Sequence, residues 1–142
     1  MAVANFHGAL RAKLLADATT AGLVVARIHN PPAPQGVTLP YLTIQRISQV
    51  SIDTIAIFNG VVEERWQIDA YAATIDECEA LRIAVFEALH YQHSVTWSGY
   101  KVYQCRLENE ADDVDATNDG DAQGAYKRST MDFMIKRNHT AT

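Results

Sequence analysis

The sequence is poor in the residues that mark secreted, membrane and catalytic proteins. It has 2 cysteines, Cys78 and Cys105, which fall in different predicted elements without CxxC spacing. They read as reduced packing residues rather than as a disulfide or a metal site. No apolar run approaches the ~18 residues needed to cross a bilayer, and the N-terminus has no charged segment leading into an apolar stretch and cleavage site. The chain therefore reads as soluble, made in the cytoplasm and without a membrane partner. Its Lys and Arg residues are scattered, nowhere forming the basic run that phosphate neutralisation favours, which argues against specific nucleic-acid binding.

The common chemistry-bearing motifs are missing as well. There is no GxSxG, no GxxxxGK[ST] or GxGxxG, and no HExxH. His90 and His93 have i, i+3 spacing but no nearby Cys, Asp or Glu to complete a ligand set, so they read as surface histidines at a helix end. Asp115, Thr117, Asp119 and Gly120 match the opening of a calcium loop, yet Tyr126 stands where the bidentate Glu belongs. Trp66 and Trp97 lie in strand patterns and read as core or interface aromatics. Glu63 and Glu64 are candidate acids or bases that lack a partner or pocket signature, and they read as surface charge. These absences predict a non-enzymatic protein with no catalytic residue, cofactor or metal.

What is present suffices for one core. A chain of 142 residues that is 48% hydrophobic buries roughly 68% of its unfolded surface on folding, which supports a single domain over 1–142. Phe6, Leu10, Leu14 and Ala18 at helical spacing predict a first helix over 4–17, with Asn5 available as a cap. Thr19, Thr20 and Gly22 lead to a short β-branched piece, Leu23 to Ile28. The prolines of 29–36 then deny both helix and ladder bonds and predict an extended connector. Alternation from Tyr41 to Ile52, blurred at Arg46 and Ile47, and again from Val61 to Ala72 predicts a long β-hairpin with Asn59-Gly60 as a turn pair.

Thr74 and Glu77 have capping-box spacing, and Ile75, Cys78, Leu81, Val85 and Leu89 predict an amphipathic helix to about His90. Val95 to Leu107 is rich in β-branched and aromatic residues and broken at Ser98-Gly99, as two strands with a tight turn or as one bulged strand. The last strand is Tyr126 to Lys136. Between them, seven of the 17 acidic residues (Glu108, Glu110, Asp112, Asp113, Asp115, Asp119, Asp121) fall in one stretch without Lys or Arg. With few apolar residues and two glycines, 108–124 reads as a solvated, mobile acidic loop. The whole predicts an α+β fold, an antiparallel β-sheet with two α-helices packed on one face.

Several stretches in order resemble the tail-completion, or tail-terminator, family of long-tailed phages, whose members include prophage tail components. They are Ala33-Pro34-Gln35-Gly36 leading to Leu39-Pro40-Tyr41, then Gln45-Arg46-Ile47-Ser48, then Gln67-Ile68-Asp69-Ala70-Tyr71-Ala72 running into the capped helix with Ala80-Leu81, and finally Tyr126-Lys127-Arg128-Ser129-Thr130-Met131-Asp132-Phe133. The resemblance covers most of the chain and rests on order and spacing rather than on a catalytic motif. It implies a small α+β structural subunit of the virion, a homo-oligomer forming a hexameric ring at the head-proximal end of the tail. Such a ring caps the tail tube protein and offers a surface to the head–tail connector or stopper protein.

Two site expectations accompany that reading. The predicted hairpin tip carries Ile55, Ile57 and Phe58, which favour burial by roughly 1.5–3 kcal/mol each and so suit insertion against a neighbouring subunit or the tube. The seven clustered carboxylates suit a lumen wall that repels passing DNA. Two other readings remain at this point: a head-side stopper or adaptor ring protein, and a monomeric, non-catalytic binding module using the exposed sheet face.

Overall fold

A computed structural model describes residues 5–31, 34, 36–53, 58–118 and 121–140, and the side chains of all of these except 53, 58, 59, 113–118 and 121–126. The N-terminal helical run divides in two. Helix α1 (Phe6–Ala16) starts at Asn5, whose side chain accepts a hydrogen bond from the Gly8 amide at 2.9 Å, and it buries Phe6, Ala9, Leu10 and Leu14. Asp17 is extended and ends α1, and its carboxylate caps helix α2 (Ala18–Val24) by accepting from the Thr20 amide at 2.9 Å and the Thr20 hydroxyl at 2.8 Å. Among the described residues there are therefore three helices instead of the expected two. Threonine and glycine are weak helix formers, so α2 depends on its cap and on burial of Thr20 and Val24 rather than on propensity.

Among the described residues six strands form one sheet: β1 (Ile28–His29), β2 (Tyr41–Asp53), β3 (Phe58–Ala72), β4 (Val95–Trp97), β5 (Tyr100–Asn118) and β6 (Asp121–Asn138), in the order β1-β2-β3-β6-β5-β4. The sheet is mixed rather than wholly antiparallel, because β1 pairs with β2 in parallel. Of the connector expected over 29–36, residues 32, 33 and 35 lie outside the described residues. Register along β2 and β3 shifts between Arg46 and Ser48, so the blurred alternation in the sequence marks a bulge at Ile47. A second shift lies between Ile52 and Asp53, and Gly60 takes φ 83° within β3 instead of ending it.

Helix α3 (Ile75–Leu89) begins at Thr74, whose hydroxyl accepts from the Glu77 amide at 3.2 Å. It lies across β3, β6 and β5 and buries Cys78, Leu81, Ala84, Val85, Ala88 and Leu89. Ile75, expected on that face, is 59% exposed, because it sits at the first turn beyond the reach of the sheet. Ser98 and Gly99, both at positive φ, make the tight turn between β4 and β5, so Val95 to Leu107 is two strands.

The acidic segment corrects the expectation of a loop over 108–124. Its described backbone is ladder, with Glu110 opposite Met131, Asp112 opposite Ser129, Asp113 opposite Arg128 and Ala116 opposite Tyr126. Pairing with β6 supplies the order that composition alone does not. β3 and β6 are in register from Val61–Asn138 to Ala72–Lys127. The connection between β2 and β3 therefore lies at one end of the sheet, while residues 121–126 of β6 run past Ala72 at the other, by roughly 20 Å at about 3.4 Å per residue.

The buried face of the sheet carries Leu42, Ile44, Trp66, Ile68, Ala70, Met131, Phe133 and Ile135, all under the helices. Phe6 of α1 reaches Trp66, Trp97 and Tyr100 at ring-centroid distances of 5.8, 5.9 and 5.3 Å, linking β3 to β4 and the start of β5. Because Asp17 holds both helices at their junction, Asp17→Ala is expected to lower folding stability by roughly 1 kcal/mol at unchanged m-value in urea unfolding.

Candidate functional site

Strand alternation places two charges on the helix-covered face. In β3 the inward residues are Val62, Glu64, Trp66 and Ile68, and in β6 they are Met131, Phe133, Ile135 and Arg137. Val62 lies opposite Arg137 and Glu64 opposite Ile135, so the two charges are diagonal neighbours. Arg137 Nε donates to Glu64 Oε1 at 2.7 Å and Nη2 donates to Oε2 at 2.9 Å, a bidentate pair with side chains 4% and 0% exposed.

Every acceptor direction of Glu64 is used. Trp66 Nε1 donates to Oε1 at 3.0 Å, and Arg46 Nη1 donates to Oε2 at 3.1 Å. A carboxylate offers about four acceptor sites, and these four donors fill them. Glu64 therefore has no lone pair to spare as a general base, and it is not the surface charge that the sequence suggested. Arg137 is equally committed. Its Nη1 donates to the carbonyls of Asn138 at 2.8 Å and His139 at 3.1 Å, and its guanidinium carbon lies 4.3 Å from the Phe6 ring centroid and 5.1 Å from that of Tyr100.

Two guanidinium groups thus share one carboxylate, which leaves an excess positive charge at Arg46, whose side chain is 51% exposed. It stands at the mouth of a concavity of about 450 Å³ lined by Asn5, Phe6, His7, Arg46, Gln49, Trp66, Tyr100, Arg137 and His139. Gln49 Oε1 accepts from Arg46 Nη1 at 3.0 Å and holds the guanidinium beside the opening. His7 packs 5.1 Å from the Trp66 ring, with Nε2 3.1 Å from the Ile44 carbonyl. Burial, and then the charge of Arg46, hold its imidazole below the ordinary value of 6.5, against a smaller opposing pull from Glu64.

The other residues singled out from the sequence take various places. Ile55 and Ile57 lie outside the described residues, and Phe58 opens β3 opposite Asp53 with its side chain outside the description. Glu108 pairs with Arg106 at 3.1 Å, Glu110 pairs with Arg82 of α3 at 2.7 Å, and Asp112 is exposed. Asp113 and Asp115 belong to β5 and Asp121 to β6 by backbone alone, while Asp119 and Gly120 lie outside the described residues.

His90 Nδ1 accepts from the Leu107 amide at 3.0 Å, so this histidine ties the end of α3 to β5, whereas His93 is exposed. Cys78 and Cys105 are both free and buried, and burial pushes the Cys105 thiol up to about 12. Trp66 and Trp97 are core residues. The Glu64–Arg137 pair was missed although it left a signal: each charge has the parity of its strand's inward face, two residues from an apolar neighbour.

Removing one partner of a buried pair leaves the other charge uncompensated, so Glu64→Gln is expected to cost roughly 3–5 kcal/mol in urea unfolding. Glu64→Gln combined with Arg137→Met should recover part of that loss. For His7 the folded value is depressed, so its contribution to stability is present above about pH 6.5 and is lost as pH falls through the folded value. His7→Gln should flatten that part of the stability–pH curve, read by thermal melts from pH 7 downward.

The comparisons with known proteins agree with the resemblance seen in the sequence. Residues 8–136 match the family model described as tail completion protein gp17. No curated protein sequence matches the chain. Among solved structures, a chain from the virion of a native gene transfer agent particle superposes with a TM-score of 0.70 at 16% identity, covering 92% of each chain. At that identity the likeness shows a shared fold. With a family match that runs from within α1 into β6, the chain belongs to the tail completion protein gp17 family, structural proteins of the phage tail.

Proposed function

We propose that this protein is the subunit of a hexameric ring that closes the head-proximal end of a phage tail tube and joins it to the head-side connector. The match over residues 8–136 carries this reading, and the shape of the subunit supports it. The two long strand pairs extend from opposite ends of one sheet, which suits a part that must bind on two sides at once. The occupied hydrogen-bonding groups of Glu64 and Arg137 favour a structural role over a catalytic one. Its partners in this reading are further copies of itself, the tail tube protein and the connector or stopper. It would be made in the bacterial host and incorporated into the virion.

The apolar arm of β2–β3 is the proposed contact with the tube. Ile47 and Val50 are 46% and 62% exposed on the described part of β2, and the chain continues from there to Ile55, Ile57 and Phe58. Large exposed apolar side chains on one strand, with three more in the sequence that follows it, favour burial in an assembly. Val50→Asp and Ile57→Asp/Phe58→Asp are expected to leave the subunit folded by circular dichroism while preventing it from capping purified tail tubes in negative-stain electron microscopy. Tubes capped by these variants as fully as by wild type would contradict the assignment.

A further inference from the structure

The concavity at Arg46 continues into a second one between α1 and β1, lined by Asn5, His7, Gly8, Arg11, Ile28 and His29 among others. Asn5 and His7 belong to both, so the two form one strip running from Arg46 to Arg11. Arg11 donates to the carbonyls of Ala26 at 2.9 Å and Ile28 at 3.3 Å and has no ion-pair partner among the described residues. Arg46 shares its carboxylate with Arg137. Over residues 1–52 the sole acidic residue is Asp17, which is occupied in capping α2. With the single Glu64 carboxylate shared between Arg46 and Arg137, and Arg11 without an ion pair among the described residues, the strip keeps a net positive charge.

The complementary charge is on the same chain but out of reach. Arg46 is level with Trp66 and Phe133, whereas Asp113 is level with Arg128. Along β6 that is about 17 Å, with three strand spacings of about 4.8 Å across the sheet in addition. Such a separation exceeds the Debye length of about 8 Å at physiological salt, so the two regions do not neutralise each other within one copy. Arg106 and Arg82 engage Glu108 and Glu110, while Asp112 is exposed beside the further acidic positions of the arm.

We propose that copies of this chain associate head to tail, the acidic β5–β6 arm of one seated on the Arg46–His7–Arg11 strip of the next. The inference rests on the ring reading, because a contact between two different surfaces is the kind that closes a ring by rotation. It places the acidic arm at a subunit boundary instead of on the lumen.

Two full-length variants test it while sparing the ion pairs within the subunit. Arg11→Glu/Gln49→Glu reverses the strip without touching Glu64 or Arg137, and Asp112→Lys/Asp113→Lys/Asp115→Lys reverses the arm, setting three lysines against Asp119 and Asp121 while leaving Glu108 and Glu110 paired. Self-association is measured by native mass spectrometry and sedimentation velocity, with and without purified tail tubes, after circular dichroism has shown both variants folded. Each variant alone should associate at least about tenfold more weakly than wild type. An equimolar mixture should restore assemblies of wild-type size containing equal numbers of the two.

Variants that assemble like wild type overturn head-to-tail docking and leave the ring reading standing, as does a mixture that stays as dispersed as its parts. Unchanged assembly with altered DNA passage through reconstituted tails also overturns it, in favour of a lumen-facing arm. Wild-type protein that remains monomeric even with tubes removes the ring reading and this inference together.

Discussion

The Glu64–Arg137 pair is the constraint around which the subunit is arranged, because a carboxylate and a guanidinium removed from water are tolerated only when each is paired and hydrogen-bonded throughout. Meeting that demand draws in five parts of the chain. Trp66 and Arg46 bring donors from β3 and β2, the Asn138 and His139 carbonyls fix the path after β6, and Phe6 of α1 and Tyr100 of β5 cover the guanidinium. A slip of one residue in the β3–β6 register would put one of the two charges on the opposite face. The pair therefore specifies register as well as occupying the core. It also holds the N-terminal helix against the sheet.

The surface charge follows from this arrangement. Glu64 is saturated by two arginines, so the second, Arg46, carries uncompensated charge to the rim beside His7. The acidic stretch lies on β5 and the start of β6: Glu110, Asp112 and Asp113 stand level with Ile68, Ala70 and Tyr71, and the backbone of Asp115 and Asp121 passes beyond Ala72. The result is a subunit whose uncompensated basic charge lies at Arg46 and Arg11 and whose acidic charge is carried by β5 and β6. Polarity of that kind suits a part used in repeated copies between two different neighbours, and it connects the interior pairing to the proposed role at the end of a tail.

The elements with strong periodicity were legible in the sequence. The capped helix α3, the first turns of α1 and the strands β2, β3 and β6 followed from spacing, because burial on one face imposes a period. Helix α2 was not legible, since its cap, Asp17, also terminates α1 and its interior holds Thr19, Thr20 and Gly22. The acidic ladder was hidden because pairing is a tertiary fact, and carboxylates on a strand look from composition like a loop. Glu64 and Arg137 were legible by parity alone, but a charge at an inward position is interpretable only once its partner on a distant strand is known. The assembly contacts lie beyond a single chain, and the family resemblance, not the local physics, pointed to them.

The most direct test of the account is a cryo-electron microscopy reconstruction of the particle that carries this chain, at a resolution that distinguishes the six-stranded sheet. The account predicts a closed ring of this fold at the junction of tail tube and head connector, with the β2–β3 arms toward the tube. The fold found at the distal tip, within the head shell, or as an isolated copy beside the tube would contradict it.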